Sequence, residues 1–225
     1  MTYTWLLFDA DDTLFDYPIA EGNALRATFD HFGQVYRTEY LRLYQIFNRQ
    51  VWVEFERGQT TSQELRLKRF NLLFTEIQVP LDPQDFSLRY LENLSLTTDL
   101  LPGALEVLRS LSGRFHIALV TNGLSEVQHP RLERSTIRPF IEKDFISEEV
   151  GIAKPAAGFF DFVFQEIGQP EKSEVLIIGD SLTSDMQGGI NYGIDTCWFN
   201  PGRNIRTLPV TYEIHTLKEL LDILK

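Results

Sequence analysis

The sequence contains a single cysteine, Cys197, among its 225 residues, so no disulfide can form within the chain. Because Cys197 lies in the apolar run 196–199, we predict a buried structural thiol. No apolar window reaches the length of a membrane-spanning helix, and the first residues lack the basic and apolar segments of a signal peptide. We therefore expect a cytoplasmic, reducing environment and no membrane partner.

Basic residues are also scarce, with 21 Lys and Arg against 32 Asp and Glu and a formal net charge of −11. An acidic surface repels the phosphates of nucleic acid, so we expect no nucleic-acid partner. An anionic small molecule would have to meet a local positive site. The composition, 43% hydrophobic and 24% charged, is that of a globular protein and excludes general disorder.

Short apolar runs alternate with helical patterns at the start and in the second half of the chain. This alternation is typical of a parallel sheet, and runs that are apolar throughout suit strands covered on both faces. We predict an α/β fold, a Rossmann-like parallel sheet with helices on both faces. The predicted strands are 4–8, 116–120, 144–146, 175–178 and 196–199, and the predicted helices are 104–111, 125–135, 156–167, 184–192 and 217–224.

Residues 17–96 differ, because their apolar positions recur at helical spacing and no long strand pattern occurs. We therefore predict a helical cap at 17–96, inserted into a discontinuous α/β core formed by 1–16 and 97–225. Several cap aromatics could stack on a ligand, but their helical spacing favours packing within the cap. They are Tyr40, Tyr44, Phe47, Trp52 and Phe55.

Two acidic loops each follow a predicted strand. Asp9-Ala10-Asp11-Asp12-Thr13 comes after the run 5–8, and the segment 179–185 comes after 175–178. Clustered carboxylates at the ends of buried strands are costly unless a cation neutralises them, and Mg2+ is the usual partner of hard oxygen ligands. Ligands bind where the carboxyl ends of parallel strands meet, so Asp9, Thr121 and Asp180 should converge. This pattern predicts metal-assisted phosphoryl transfer.

The chemistry of phosphate monoesters assigns a role to each acid. Asp9 would attack phosphorus and form an aspartyl-phosphate. Asp11 would protonate the leaving oxygen and then deprotonate the hydrolytic water. Mg2+, with Mn2+ as an alternative, would be held by Asp9, Asp180 and the backbone carbonyl of Asp11. Asp185 would orient metal-bound waters, although an ordinary acid at a helix N-terminus is the other interpretation.

Phosphate itself needs hydrogen-bond donors and positive charge. We predict that Thr121 and the Asn122 backbone donate to it and that Lys154 offsets its charge. A plain lysine at a helix start would face the positive end of the helix dipole, so something anionic should compensate Lys154.

Other residues near these loops are assigned structural roles. We expect Asp12 to stabilise the turn, Thr13 to bond within the loop and Asp16 to begin the linker to the cap. The four histidines show no ligand spacing and are interpreted as structural or surface residues.

Taken in order, four motifs resemble those of the haloacid dehalogenase superfamily: Asp9–Thr13, Thr121–Asn122, Lys154–Pro155 and Gly179–Asp185. The resemblance covers essentially the whole chain. It implies that the helical insert is that family's cap over the site. The family's dehalogenases lack an acid at the position matching Asp11, because halide needs no protonation, so its presence here favours hydrolysis of phosphate esters.

Four further segments carry a narrower resemblance: Phe8–Asp16, Thr121–Leu124, Gln128 with Arg131–Leu132, and Trp198–Asn200. They resemble the cytosolic pyrimidine 5'-nucleotidase branch of the family, which implies nucleoside monophosphates such as dUMP, UMP or dTMP as substrates. Ala156-Ala157 departs from relatives that often carry a polar residue or proline there. A sugar-phosphate phosphatase, a phosphomutase and a non-catalytic regulatory protein remain alternatives, and we expect a monomer or weak homodimer.

Overall fold

The computed structural model describes residues 3–225, which contain a six-stranded, fully parallel sheet. Its strand order is β3-β2-β1-β4-β5-β6. The predicted α/β fold is therefore confirmed. The strands are β1 (Trp5–Phe8), β2 (His116–Thr121), β3 (Lys143–Ile146), β4 (Val175–Gly179), β5 (Asp195–Phe199) and β6 (Tyr212–Ile214).

Ten α-helices accompany the sheet in the described residues. The first four lie within residues 17–95: α1 (Tyr17–His31), α2 (Thr38–Glu56), α3 (Ser62–Ile77) and α4 (Pro83–Ser95). The other six are α5 (Ala104–Leu111), α6 (Ser125–Arg134), α7 (Ser147–Val150), α8 (Ala157–Glu166), α9 (Gln187–Tyr192) and α10 (Leu220–Ile223). None of the helices in residues 3–225 is both long and apolar enough to cross a membrane.

The chain divides into two compact units. The α/β unit comprises the chain up to Tyr17, Thr98–Ser125 and Leu132–Lys225, and the helical unit comprises Pro18–Thr97 and Glu126–Arg131. Residues 126–131, which were predicted to belong to the α/β core, thus group with the helical unit. The role of residues 17–96 as a cap stays a prediction.

The α/β unit has a hydrophobic core on each face of its sheet. Successive strand residues point to opposite faces, so Leu6 and Phe8 pack with α5 and α10, whereas Leu7 packs with α8. The two cores explain why β1 and β4 are apolar at every position.

The helical unit is held together by aromatic packing. Tyr44 on α2 is fully buried, with its ring centroid 5.4 Å from that of Phe70 on α3. Phe86 on α4 lies 5.1 Å from the same Phe70 ring. Ring pairs at these distances stabilise a core, so the packing interpretation of Tyr44 is confirmed. α3 also begins with a capping box in which Thr61 bonds the Glu64 amide.

The segment after β4 departs from the predicted helix 184–192. It begins with a π-helical turn at Leu182–Met186, and α9 starts only at Gln187. The carbonyl of Ser181 accepts hydrogen bonds from the amides of both Asp185 and Met186, and the Ser181 hydroxyl accepts one from the Ser184 amide. These bonds widen the first turn and fix the position of Asp185.

Candidate active site

Three polar segments meet at the carboxyl edge of the sheet. Asp9 directly follows β1, Thr121 ends β2 and Asp180 directly follows β4. β1 pairs with both β2 and β4, with Phe8 opposite Leu119 and Ile178. The topology therefore brings the three side chains to neighbouring positions in the α/β unit.

Lys154 lies at the centre of this group and is 1% exposed. Its ammonium donates hydrogen bonds to Asp9 Oδ1 at 2.7 Å, to Asp185 Oδ1 at 2.6 Å and to the carbonyl of Val120 at 2.7 Å. All three N–H groups thus have acceptors, as a buried ammonium requires. The prediction that anionic groups compensate Lys154 is confirmed.

The charged state of Lys154 follows from these partners. Burial alone lowers the pKa of the ammonium, but the charges of Asp185 and Asp9 and their hydrogen bonds outweigh burial and raise it. Lys154 is therefore a fixed positive charge at neutral pH.

The carboxylates outnumber this single cation. Carboxylate oxygens of Asp9, Asp180 and Asp185 all lie within 4.8 Å of one another. Burial, followed by the charge of Asp185, raises the pKa of Asp9 to about 7. Burial, followed by the charge of Asp9, raises the pKa of Asp180 well above its usual value. The group therefore carries more negative charge than Lys154 can neutralise.

Asp185 is positioned from two sides. It is fully buried, and its second oxygen, Oδ2, accepts a hydrogen bond from the Ser181 amide at 3.1 Å. The side chain passes so close to Gly179 that a Cβ added there would lie 2.2 Å from Asp185 Oδ2. Glycine at 179 is thus needed for the approach of this carboxylate. The sequence predicted a role for Asp185 but not the contribution of Ser181.

The side chain of Asn122 holds the main chain of Lys154. Its Nδ2 donates to the Lys154 carbonyl and its Oδ1 accepts from the Lys154 amide, both at 2.9 Å. The sequence predicted a role for the Asn122 backbone, and this side-chain clamp was missed. Thr121 accepts a hydrogen bond from the Gly123 amide at 3.0 Å, which leaves its hydroxyl proton available to donate.

The residues of the first acidic loop, 9–13, have different positions and roles. Asp11 does not belong to the close group of Asp9, Asp180 and Asp185, although its charge contributes to the raised pKa of Asp9. Asp12 adopts a left-handed backbone with φ of 59°, which confirms its structural role in the turn. The Thr13 hydroxyl lies 3.4 Å from a carboxylate oxygen of Asp9 and 3.4 Å from one of Asp180, and its single proton can be donated to either. Thr13 thus bonds within its own loop as predicted and also reaches the second loop.

Trp198 on β5 supports the second acidic loop. Its indole Nε1 donates to the carbonyl of Asp180 at 2.8 Å. In the sequence, Trp198 contributed to a resemblance only, with no role attached. Cys197 beside it is buried, and burial raises the pKa of its thiol to about 12, which confirms a structural cysteine.

A family model of haloacid dehalogenase-like hydrolases matches residues 3–193. The chain belongs to this family. The resemblance noted in the sequence is thereby confirmed.

Two similar proteins indicate the class of reaction that this haloacid dehalogenase-like hydrolase catalyses. The pyrimidine 5'-nucleotidase YjjG of Escherichia coli is 34% identical, with 100% of this chain and 99% of the relative covered. The pyrimidine 5'-nucleotidase PynA of Streptococcus pneumoniae is 37% identical, with coverages of 100% and 96%. The chain is therefore an enzyme of the phosphoric monoester hydrolase class.

A solved structure shares the whole fold. The magnesium-bound crystal structure of the HAD-hydrolase YfnB from Bacillus subtilis is 37% identical, has a TM-score of 0.94, and is matched over 100% of this chain and 99% of that one. The predicted Rossmann-like fold is confirmed by this likeness.

The residues of this hydrolase fit a divalent metal. Asp9, Asp180 and Asp185 offer hard carboxylate oxygens from the two loops, and the raised pKa values of Asp9 and Asp180 show that the group lacks positive charge. Mg2+ prefers such ligands and completes its coordination shell with water. None of the four histidines belongs to this group of possible ligands in the described chain.

Proposed function

We propose that the protein is a Mg2+-dependent 5'-nucleotidase that hydrolyses pyrimidine nucleoside monophosphates, such as dUMP, UMP and dTMP, through an aspartyl-phosphate on Asp9. The observation that carries the proposal is the buried Lys154 between Asp9 and Asp185, with Asp180 within reach of the same metal. The similarity to the pyrimidine 5'-nucleotidases YjjG and PynA supports the nucleotide substrate.

In the first step, Asp9 attacks the phosphorus atom of the ester. A bond forms between a carboxylate oxygen and phosphorus, and the bond from phosphorus to the nucleoside oxygen breaks. Protonated Asp11, which stands outside the close acid group, gives its proton to the departing alkoxide. The products are the nucleoside and phosphorylated Asp9.

In the second step, Asp11 acts as a base. It removes a proton from water, whose oxygen attacks phosphorus, and the bond to Asp9 breaks. Inorganic phosphate leaves, Asp9 is again a carboxylate and Asp11 is again protonated. The cycle consumes one water and needs no other reactant.

The remaining residues orient the nucleophile and the phosphoryl group and neutralise their negative charge. Lys154 keeps one Asp9 oxygen fixed by its 2.7 Å hydrogen bond and contributes positive charge beside the phosphoryl group. The Thr121 hydroxyl and the backbone amide of Asn122 donate to the phosphate oxygens. Mg2+, held by Asp9, Asp180, Asp185 and the Asp11 carbonyl, would reduce the repulsion between nucleophile and substrate.

The test is phosphate release from a panel of nucleoside monophosphates and sugar phosphates, in Mg2+, Mn2+ or EDTA. We expect selective, EDTA-sensitive release from pyrimidine monophosphates and no turnover by the Asp9→Asn variant. Preference for sugar phosphates would overturn the nucleotide substrate, and turnover by Asp9→Asn would overturn the nucleophile. A cytoplasmic location and a monomeric or weakly dimeric state stay predictions.

A further inference from the structure

The segments that leave the carboxyl edge of the sheet in the α/β unit are strongly acidic. Residues 9–16, 147–156 and 180–186, which follow β1, β3 and β4, carry four, two and two Asp or Glu residues, respectively. Their single Lys or Arg is Lys154, which is buried and already paired with two aspartates. One bound Mg2+ would leave this balance negative, so the edge repels a dianionic phosphate ester that approaches it.

Two exposed arginines on the segment after β5 oppose this charge. Arg203 and Arg206 lie in residues 200–211, and in the part of the chain that the structure describes neither forms an ion pair. The segment after β2 has no Lys or Arg, and Lys218, after β6, is paired with Glu106 at 2.6 Å. At this edge of the α/β unit, the two guanidinium groups are therefore the exposed Lys or Arg charges that no acid compensates.

The segment that carries these arginines begins beside the second acidic loop. β5 pairs with β4, with Trp198 opposite Gly179, and the Trp198 indole donates to the Asp180 carbonyl at 2.8 Å. Arg203 follows Trp198 by five residues, so the two Cα atoms are at most about 18 Å apart. Charges act over about 30 Å at an ionic strength of about 0.01 M. The segment is therefore within electrostatic reach of the second acidic loop.

Hydrogen bonds, and not packing, fix the conformation of this segment, because residues 201–207 are all exposed. Asn200 is 2% exposed; its Nδ2 donates to the Asn204 carbonyl and its Oδ1 accepts from the Asn204 amide, both at 2.9 Å. The same Nδ2 donates to a carboxylate oxygen of Glu213 on β6 at 2.7 Å. Because Arg203 lies inside this clamp, its main chain is held at the edge of the sheet.

The backbone of Arg203 lies in the left-handed region, with φ of 51°. Glycine and asparagine adopt this region most readily, and both residue types flank the position, as Gly202 and Asn204. A long charged side chain is uncommon there. Because residues held in this region cluster at functional sites, the outlier points to a role for the Arg203 guanidinium group.

We propose that Arg203 and Arg206 attract the dianionic phosphate ester and steer it towards Asp9 and Lys154. The attraction acts before the ester is bound, so it raises the rate of encounter and leaves the chemical step unchanged. The anion that the arginines attract is the substrate on its way to the active site, and they form no second binding site. The inference deepens the proposed function and rests on it for the substrate.

The test compares kcat and KM for UMP and p-nitrophenyl phosphate in Mg2+ at an ionic strength of about 0.01 M. In the Arg203→Gln/Arg206→Gln variant we expect kcat/KM to fall about tenfold for both esters, because two positive charges no longer act on a dianion. We expect kcat to keep its wild-type value. The matched control is Arg109→Gln/Arg114→Gln, which removes the same charge at the opposite edge of the sheet, near the start of β2. Its kcat/KM should stay within about twofold of wild type.

Two further measurements identify charge as the cause. At about 1 M salt, where screening acts within about 3 Å, kcat/KM of the Arg203→Gln/Arg206→Gln variant should equal that of wild type. At low salt, Arg203→Lys/Arg206→Lys should keep the wild-type kcat/KM, because lysine supplies the same charge without the planar guanidinium. Inhibition by uridine, which is neutral, should be equal in all variants.

Four results would overturn the inference. The Arg203→Gln/Arg206→Gln variant could keep the wild-type kcat/KM at low salt. The control could lose as much, which would reveal only an effect of net charge. The loss could persist at high salt or in the lysine variant, which would indicate a specific contact in place of steering. A lower kcat would show that the segment acts on the chemical step. Matching melting temperatures for all variants would exclude unfolding as the cause of a loss.

Failure of the proposed function gives a different pattern. Hydrolysis of p-nitrophenyl phosphate without hydrolysis of UMP would overturn the nucleotide substrate and leave the steering measurable. If neither ester is hydrolysed, calorimetric titration of inorganic phosphate in Mg2+ at low salt tests the arginines alone. The dissociation constant should then rise about tenfold in the Arg203→Gln/Arg206→Gln variant. An unchanged constant would overturn the steering as well.

Discussion

At the scale of single residues, Lys154 organises the site through both its ends. Its ammonium is buried among Asp9, Asp185 and the Val120 carbonyl, and its peptide group is held by Asn122. When one partner of a buried ion pair moves away, the charge of the other partner remains buried without compensation. The position of the Lys154 main chain should therefore matter as much as its charge.

We expect Asn122→Ala to lower kcat for UMP by about 10–100-fold, the usual effect of removing a partner that orients a metal or catalytic residue. The change removes both hydrogen bonds to the Lys154 main chain. Steady-state kinetics would measure it, with Asn191→Ala at an exposed position as the control. A wild-type kcat in Asn122→Ala would show that the clamp does not position the lysine.

A second residue-scale prediction concerns Gly179. We expect Gly179→Ala to lower the free energy of unfolding by about 1–3 kcal/mol, because the new Cβ overlaps the Asp185 carboxylate. Chemical denaturation would measure the loss. Gly22→Ala is the matched control, since the nearest atom to its added Cβ is 3.4 Å away and helical alanine is favoured over glycine. Equal stability of the Gly179→Ala variant and wild type would contradict the close approach.

Residue roles were predictable from the sequence where charge alone decides them. Lys154 needed an anionic partner whatever the fold, and Asp12 suited a turn. The Asn122 clamp could not be predicted, because its partners are main-chain atoms 32 residues away and no side-chain pattern marks them. The contribution of Ser181 could not be predicted for the same reason, because its backbone amide, and not its side chain, donates a hydrogen bond to Asp185.

At the scale of elements, the sequence predicts the strands whose whole length is apolar. β1 and β4 are buried at every position and were recognised by their composition. β6 was missed, since only Ile214 of its three residues is buried and its extended form comes from pairing with β5. The π-helical turn before α9 was also missed, because hydrogen bonds to Ser181, and not apolar spacing, determine it.

A buried polar network joins three helices of the helical unit. Glu21 on α1 accepts hydrogen bonds from Gln45 at 2.9 Å and from Asn48 at 3.0 Å, both on α2. Asn48 in turn accepts one from Arg69 on α3 at 3.1 Å. Burial raises the pKa of Glu21, although these hydrogen bonds and the charge of Arg69 oppose the rise.

This network predicts a pH dependence of stability. Because the pKa of Glu21 is raised in the folded state, the folded protein binds the proton more tightly than the unfolded chain does. The contribution of Glu21 to the free energy of unfolding therefore falls as pH rises from the unfolded pKa of about 4.3 through the folded pKa. We expect Glu21→Gln to lack this fall, so its stability relative to wild type should improve as pH rises to neutrality.

Urea denaturation at several pH values would measure the difference between the two proteins. Glu76→Gln, at an exposed position on α3, is the control and should show no such trend. The lost hydrogen bond in Glu21→Gln adds a constant offset, so only the slope against pH is diagnostic. A slope of the opposite sign would mean that the folded state favours the ionised carboxylate.

At the scale of the whole molecule, the α/β unit concentrates negative charge where its strands end. Three carboxylates face one ammonium at this edge, within a chain that is already acidic. The parallel strand order was predictable from alternation along the chain. The charge imbalance became evident only when the fold brought the separate loops together.

Metal binding should therefore stabilise the folded protein. At a Mg2+ concentration about one hundred times the dissociation constant, we expect the free energy of unfolding to rise by about 2.7 kcal/mol. Thermal unfolding with Mg2+ and with EDTA would measure this gain. Asp180→Asn should lose most of it, while Asp222→Asn, an exposed acid paired with Lys225, should keep it. An equal Mg2+-dependent gain of stability in both variants would show that the ion does not bind at Asp180.

The most direct test of the account is the mass of the peptide that contains Asp9 after reaction with UMP and Mg2+ and quenching in acid. Asp11→Asn should slow hydrolysis of the intermediate, so its peptide should gain one phosphoryl group, located on Asp9 by fragmentation. The same peptide from Asp9→Asn should gain none. A phosphoryl group on another residue, or turnover of UMP by Asp9→Asn at the wild-type rate, would contradict the covalent mechanism.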